Sequence, residues 1–454
     1  MNEEHETMPE NIMGTMDERP LLMKLAVPMM LSMLIQALYN VVDSFFVSRL
    51  SENALTAVGL AFPLQNLMIG ISVGTGVGIN SLLSRRLGEK NQKAVNDAAM
   101  NGIFLALLSM IAFIFIGLFA SRSFFENQTN DPEIIEMGTK YLSICSIVSF
   151  GLFFDVTYAR LLQSTGKTKL SMIGQMVGAI TNIILDPIMI FGLLGCPKLG
   201  VSGAAVATVI GQILSSFVDL YFNLKYNKEI QFTLKGFRPS GKVIGEIYAV
   251  GIPAIVNTTV VSVMIYGINL ILIAFSASAT AVMTVYFKLQ SFIYMPVFGL
   301  NNGMIPIVAY NFGARRPDRI RRTTKIALIY ALVIMAVGLA LFQLFPKPIL
   351  SIFIDKPETM EMGIAALRVI SLGFLFSGVV FVLCSVFQAL AHGVYALIVQ
   401  IVRQLVGVLP IAWLLAQTGK VSNVWWAFPC AEFMAFVVAL FLYRHIKRTQ
   451  LDKL

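Results

Sequence analysis

The residues best placed to do chemistry lie in the first apolar stretch. Gln36, Tyr39, Asn40 and Asp43 are spaced i, i+3, i+4, i+7 within the run from Leu21 to Leu50. On a helix that spacing makes one polar stripe on an otherwise apolar rod. The run is long enough to cross a bilayer, so Asp43 is its costly member. A carboxylate at mid-membrane depth costs about 2.5–3.5 kcal/mol even on a lenient insertion scale. Binding a proton or a metal cation reduces that cost, so the chemistry on offer is reversible cation binding on a transport path. The plainer alternative is an aspartate satisfied by interhelical hydrogen bonds.

A second set lies further along. Gln175, Asn182 and Asp186 are seven and four residues apart and share a helix face. Pro187 follows Asp186, and its ring displaces the carbonyl of Ile183 from the helical ladder. Thr208 and Gln212 are four apart in the next apolar run. The oxygen-rich set Asp43, Asn182, Asp186 and Thr208 suits a hard cation such as Na⁺, or two carboxylates sharing one proton. Asn182 and Thr208 also have an ordinary reading as hydrogen bonders between packed helices.

The elements that must position these groups follow from composition. The chain has 454 residues, 57% of them hydrophobic and 13% charged, with mean hydropathy +0.76. Soluble domains carry about 25% charged residues. The apolar runs are too long for core strands, and the alternating ten-residue segments of a membrane barrel are missing. An all-α integral membrane protein is expected, with twelve spans near 22–49, 55–83, 95–120, 140–163, 170–194, 202–224, 245–274, 280–309, 322–345, 364–390, 395–416 and 422–444. Pro28 in the first and Pro253 in the seventh are expected bend points. The acidic stretch Met1 to Arg19 lacks the basic start and short apolar core of a signal peptide. Cys145, Cys196, Cys384 and Cys430 show no zinc-site spacing and read as packing residues, and His5, His392 and His445 fall in tails or loops. No cofactor is expected.

Lysine and arginine set the orientation. Alternate loops hold Arg85, Arg86, Lys90 and Lys93, then Lys167 and Lys169, then a run from Lys225 through Lys235 to Lys242, then six basic residues between Arg315 and Lys325. These loops and both termini are expected on the cytoplasmic side. The net charge of +9 sits in these short loops, so it signals topology and not nucleic-acid binding. The chain divides into a polar N-terminal tail (1–21), an N-lobe (22–224), a basic interlobe loop (225–244), a C-lobe (245–444) and a C-terminal tail (445–454).

A constant offset of 225 residues aligns the two lobes. It pairs Pro28 with Pro253, Leu64-Gln65 with Leu289-Gln290, Gly74 and Gly78 with Gly299 and Gly303, Gly88 with Gly313, and Gln163 with Gln388. Six spans per repeat make the repeats parallel, related by an axis along the membrane normal, as two lobes around a central cavity. The acids are one-sided: Asp43 meets Ile268, and Asp186 meets Ile411. Other polar residues in the spans include Asp155 with Tyr158 beside it, Asp219, Glu432, Lys288 and Arg403. Tyr266, Tyr286 and Gln290 are candidate C-lobe cavity residues.

On these features the chain resembles the multidrug and toxic compound extrusion (MATE) family, in its prokaryotic DinF-like and MepA-like branch. The resemblance rests on Pro28 and Asp43 in the first span, Leu87-Gly88-Glu89 after the second, and Asn182-Ile-Ile-Leu-Asp186-Pro187 followed by Gly203-Ala204-Ala205. It implies export of bulky, often cationic amphiphiles from a bacterial or archaeal cytoplasmic membrane, driven by inward H⁺ or Na⁺. It also implies a cation site at Asp43, Asn182, Asp186 and Thr208, and a substrate cavity lined by Gln36 and Tyr39. A further MATE branch uses acids in its seventh and tenth spans, where this chain has only Glu246 at a boundary. The partners expected are small amphiphilic molecules and the bilayer, with no nucleic acid and a monomeric chain. A lipid-linked saccharide flippase of the same superfamily is the alternative, disfavoured by the acidic first lobe. A membrane-embedded enzyme would need a nucleophile, base or metal cluster at a membrane face, and no such motif is present.

Overall fold

The structure is a computed structural model that describes residues 11–233, 237–354 and 356–454, with the side chains of Ser44, Ser48 and Glu52 left out. His5 and Lys235 lie outside the described residues. Among those described, all regular structure is helical. Span 1 is Glu18–Ser48, span 2 Glu52–Gly88, span 3 Gln92–Phe119, span 5 Thr168–Phe191 and span 6 Val201–Tyr226. Span 7 is Gly241–Ile273, span 8 Ala277–Gly313, span 9 Pro317–Leu344, span 11 Gly393–Ala416 and span 12 Val421–Leu451. Spans 4 and 10 are broken helices, Pro132–Ile147 with Phe150–Ser164 and Pro357–Ser371 with Phe374–Ala389, bent by 43° and 48°.

Local chemistry repeats with the offset. Ser51 and Ser276, 225 residues apart, cap spans 2 and 8, their side chains accepting from the amides of Ala54 and Ala279. The sharp bends differ from expectation. Spans 1 and 7 run through Pro28 and Pro253 as unbroken helices, while the breaks fall at 148–149 and 372–373, within one residue of repeat register. A proline forfeits one backbone donor but leaves the rest of the ladder intact.

The repeat-matched glycines form the seam between lobes. A Cβ on Gly88 would sit 1.9 Å from the carbonyl oxygen of Tyr310, and one on Gly313 would sit 2.0 Å from that of Arg85. Higher in the seam, Gly74 meets Ile255 and Gly299 meets Met30, so the contact partners also obey the offset. Span 2 therefore lies against span 7, and span 8 against span 1, related by a pseudo-twofold axis. Polar contacts bind the same end. Glu246 of span 7 accepts from Arg85 at 3.2 Å and Arg86 at 2.6 Å, both of span 2. Ser81 donates to the carbonyl of Gln388 at 2.7 Å.

The N-terminal segment corrects the expectation of a tail running to residue 21. Span 1 already starts at Glu18, and residues Ile12–Thr15 form a helical turn laid across the seam. Asn11 donates to the carbonyl of Thr165 in the N-lobe at 3.0 Å. On the C-lobe side, Asn311 donates to the Met13 carbonyl at 3.1 Å and Arg316 to that of Gly14 at 2.6 Å. Arg319 donates to the Met16 carbonyl at 2.5 Å. Met13 is fully buried. The sequence reads as polar, but its apolar Ile12 and Met13 and its free backbone carbonyls make it a strap fastening both lobes.

The C-lobe holds its own buried ion pair. Arg403 lies in a π-helical turn, Val402–Val408, and donates to Glu432 Oε1 at 2.8 Å through Nε, with its guanidinium over the Phe381 ring. Removing one partner of such a pair strands the other charge, at a cost of about 3–5 kcal/mol. Glu432→Ala is expected to lower the melting temperature of the detergent-solubilised protein markedly, and the apolar pair Arg403→Met with Glu432→Leu to restore most of the loss. A double variant that melts as low as the single one would show that the pair is not what Glu432 contributes.

Candidate cation and substrate site

Spans 5 and 6 pack closely because Gly178 and Gly211 face one another; a Cβ on Gly211 would lie 2.7 Å from the Gly178 carbonyl oxygen. That approach brings Asn182, one turn beyond Gly178, against Thr208, one turn before Gly211. In the amide orientation that satisfies both ends, Asn182 donates to Asp186 Oδ2 at 2.9 Å and accepts from the Thr208 hydroxyl at 3.2 Å. Span 1 closes the group. Asp43 lies beside Asp186, and Tyr39 beside Thr208. Asp186 and Asn182 are buried, and Asp43 Oδ1 is buried without a partner among the described residues. All four oxygen-bearing residues named from spacing thus meet at one point. Two carboxyl groups placed this close can share a proton or a cation.

Three neighbours were not foreseen. Gln65 donates to the Tyr141 hydroxyl at 3.1 Å and approaches Cys145 Sγ at 3.9 Å. Tyr141 and Cys145 are both close enough to Asp43 to feel its charge. Their i, i+4 spacing was readable as one face, but two ordinary packing residue types gave no reason to single them out.

A cavity of about 590 Å³ lies between the lobes. Gln36, Tyr39, Asn40, Gln175 and Gln212 line it, together with Asn182 and Thr208, so the polar group around Asp186 reaches the cavity through these two. Four expected cavity residues do not line it. Tyr266 is 67% exposed on span 7 and lies outside the cavity lining. Tyr286 is fully buried in the C-lobe among Phe287, Phe342 and Phe428, with Gln290 donating to its hydroxyl at 2.7 Å. Tyr158 is buried beside Phe154. The C-lobe wall is instead made by Asn257, Asn301, Asn302, Phe381, Gln388 and Gln400. Asp155 lines the N-lobe wall and accepts from Ser215 at 2.6 Å, while Asp219 is buried behind it with neither oxygen partnered. Lys288 is exposed.

Two parallel six-span lobes with a cavity between them define a two-lobed membrane transporter. The chain belongs to the MatE family, whose profile matches residues 28–188 and 253–414, two stretches that begin 225 residues apart. It is 26% identical over 435 residues to the multidrug export protein MepA of Staphylococcus haemolyticus, covering 95% of each chain. It is 25% identical over 435 residues to the probable multidrug resistance protein YoeA of Bacillus subtilis, covering 94% of each. Among solved structures it superposes with TM-score 0.91 on the outward-facing conformation of a multidrug resistance MATE family transporter, at 25% identity over 96% of this chain and 97% of that one. The protein is a multi-pass membrane transporter and not an enzyme.

Proposed function

We propose that this protein is a multidrug efflux antiporter that exports amphiphilic, often cationic compounds in exchange for H⁺ or Na⁺ taken up at Asp43 and Asp186. The observation that carries the reading is the carboxyl pair, joined to Asn182 and Thr208 and opening through Tyr39 onto the cavity. Loading the pair with a cation removes a buried negative charge from span 1. That loading favours a bend at Pro28, where one backbone donor is already missing, and a bend would narrow the cavity. The seam closed by Gly88, Gly313, Glu246 and the strap lies at the end bearing the basic loops, so it is the cytoplasmic gate and the cavity drains outward. The magnitudes suffice. One proton crossing ~150 mV supplies about 3.5 kcal/mol, enough for a roughly 300-fold gradient of a neutral substrate. For a monovalent cation exchanged one for one with H⁺, the voltage contribution cancels and the pH difference alone drives export.

The test is ethidium transport in proteoliposomes with a pH gradient and a Na⁺ gradient imposed separately. Ethidium movement against its gradient is expected under one of the two, which names the ion. No movement under either would overturn the antiport reading.

A further inference from the structure

Span 4 places a second charged group on the cavity wall. Arg160 is 7% exposed and lines the cavity, on the same helix as Asp155. Its partners are neutral: one terminal nitrogen, Nη1, donates to Gln163 Oε1 at 2.9 Å and across the lobe boundary to Asn302 Oδ1 at 3.1 Å. Among the described residues no carboxylate pairs with it, and its Nε and Nη2 make no hydrogen bond. A guanidinium offers five N–H donors in a planar fork matched to an oxyanion. Burial of such a group without a counter-ion is costly unless a partner arrives. The other long-chain cation buried this deeply, Arg403, has its glutamate.

The surroundings hold Arg160 in place. Gly76 of span 2 leaves room for its stem, since a Cβ there would lie 2.9 Å from Arg160 Cγ. Gln163 is fixed by donating to Ser171 at 2.9 Å, and Gln175, hydrogen-bonded to Ser32, reaches the same hydroxyl at 3.5 Å. The fork is therefore aimed and its free edge faces the cavity. The C-lobe side of the lining adds the amides of Asn257, Asn301 and Gln400 and no charged residue. Asp155 lies five residues back along the same helix, about 7.5 Å along its axis.

We propose that Arg160 is the docking point for a carboxylate on the transported molecule, so that the cavity selects amphiphiles carrying an anionic head in addition to any cationic group. This deepens the export reading and rests on it for the word transported; the anion site itself does not. A carboxylate takes the two free donors bidentately, supplying the counter-ion that the fold withholds.

The experiment uses rhodamine 110 and rhodamine 123, which share one xanthylium cation and differ in a carboxylate against its methyl ester. Binding of each to the purified full chain is measured by fluorescence anisotropy, beside ethidium transport by the same preparation. Wild type is expected to bind the acid at least about tenfold more tightly than the ester. In Arg160→Gln that ratio should fall to near one with the ester still bound, which reports an intact cavity. Arg160→Lys, which keeps the charge without the fork, should retain part of the preference. Equal binding of acid and ester by wild type overturns the proposal, as does an undiminished preference in Arg160→Gln. Should Arg160→Gln not fold, the wild-type ratio decides alone. Ethidium exported with no preference for the acid removes the anion site and leaves the antiporter; the preference without ethidium export does the reverse.

Discussion

Asp43→Asn is expected to abolish gradient-driven export while the cavity still binds substrate. The amide is isosteric and can keep a hydrogen bond to Asp186, so the packing of spans 1, 5 and 6 survives. What it cannot do is alternate between charged and neutral, or neutralise a cation. A charge worth about 2.5–3.5 kcal/mol at membrane depth corresponds to about a hundredfold change in the balance between conformations. The rate of ethidium export in proteoliposomes should fall by about that factor, with ethidium affinity in detergent little altered because Gln36, Tyr39 and Asn40 still line the cavity. Coupled export at the wild-type rate would remove Asp43 from the mechanism and leave Asp186, or the Asp155 and Asp219 pair, to carry it.

The second large effect is expected at the seam. Gly88→Val puts a branched side chain where even a Cβ would fall 1.9 Å from the Tyr310 carbonyl oxygen, a backbone atom that no rotamer change can move. The two lobes must separate at that end. Overpacking of this kind costs about 1–3 kcal/mol, charged almost wholly to the closed seam. A bias of that size multiplies the population open at the basic end by roughly ten to a hundred. Gln388 lines the cavity beside the seam, so a single cysteine placed there, in a chain otherwise free of cysteine, reports the change. An impermeant maleimide supplied from the cytoplasmic face should label it at least about tenfold faster in the Gly88→Val background. Gly59→Val is the control, since nothing lies within 4 Å of a Cβ there. Equal labelling in both backgrounds would mean that this seam does not gate the cavity.

How much of this was legible depends on what kind of fact each was. Twelve spans follow from run length, and the repeat from a single offset held over many residues. The candidate cation site was legible because Asn182, Asp186 and Pro187 lie on one helix, and a carboxylate in a span is costly wherever it points. The glycines were legible as repeat partners but not as a seam: an offset relates Gly88 to Gly313 without saying that each touches the other lobe. Tyr266 and Tyr286 failed for a different reason. Spans 7 and 8 are apolar over most of their surface, so a tyrosine's identity says nothing about whether it faces lipid, the lobe core or the cavity. Arg160 was missed, although Lys288 and Arg403 were singled out as basic residues within spans. Asn301 and Asn302, adjacent amides in an apolar helix, were the readable sign that span 8 has a wet face.

The strap has a consequence for how the protein is made. Its anchors, Asn311, Arg316 and Arg319, lie about 300 residues further along the chain than the carbonyls they hold. At translation rates of about 5–20 residues per second, the segment waits roughly 15–60 seconds after leaving the ribosome before span 8 exists to receive it. The N-lobe must therefore insert and pack with the strap held only at its own end, where Asn11 meets Thr165. Fastening them is among the last steps of biogenesis, made only when the second lobe is in place. An N-terminal fusion that blocks residues 11–16 would on this view spare the synthesis and insertion of both lobes and fail at their final joining.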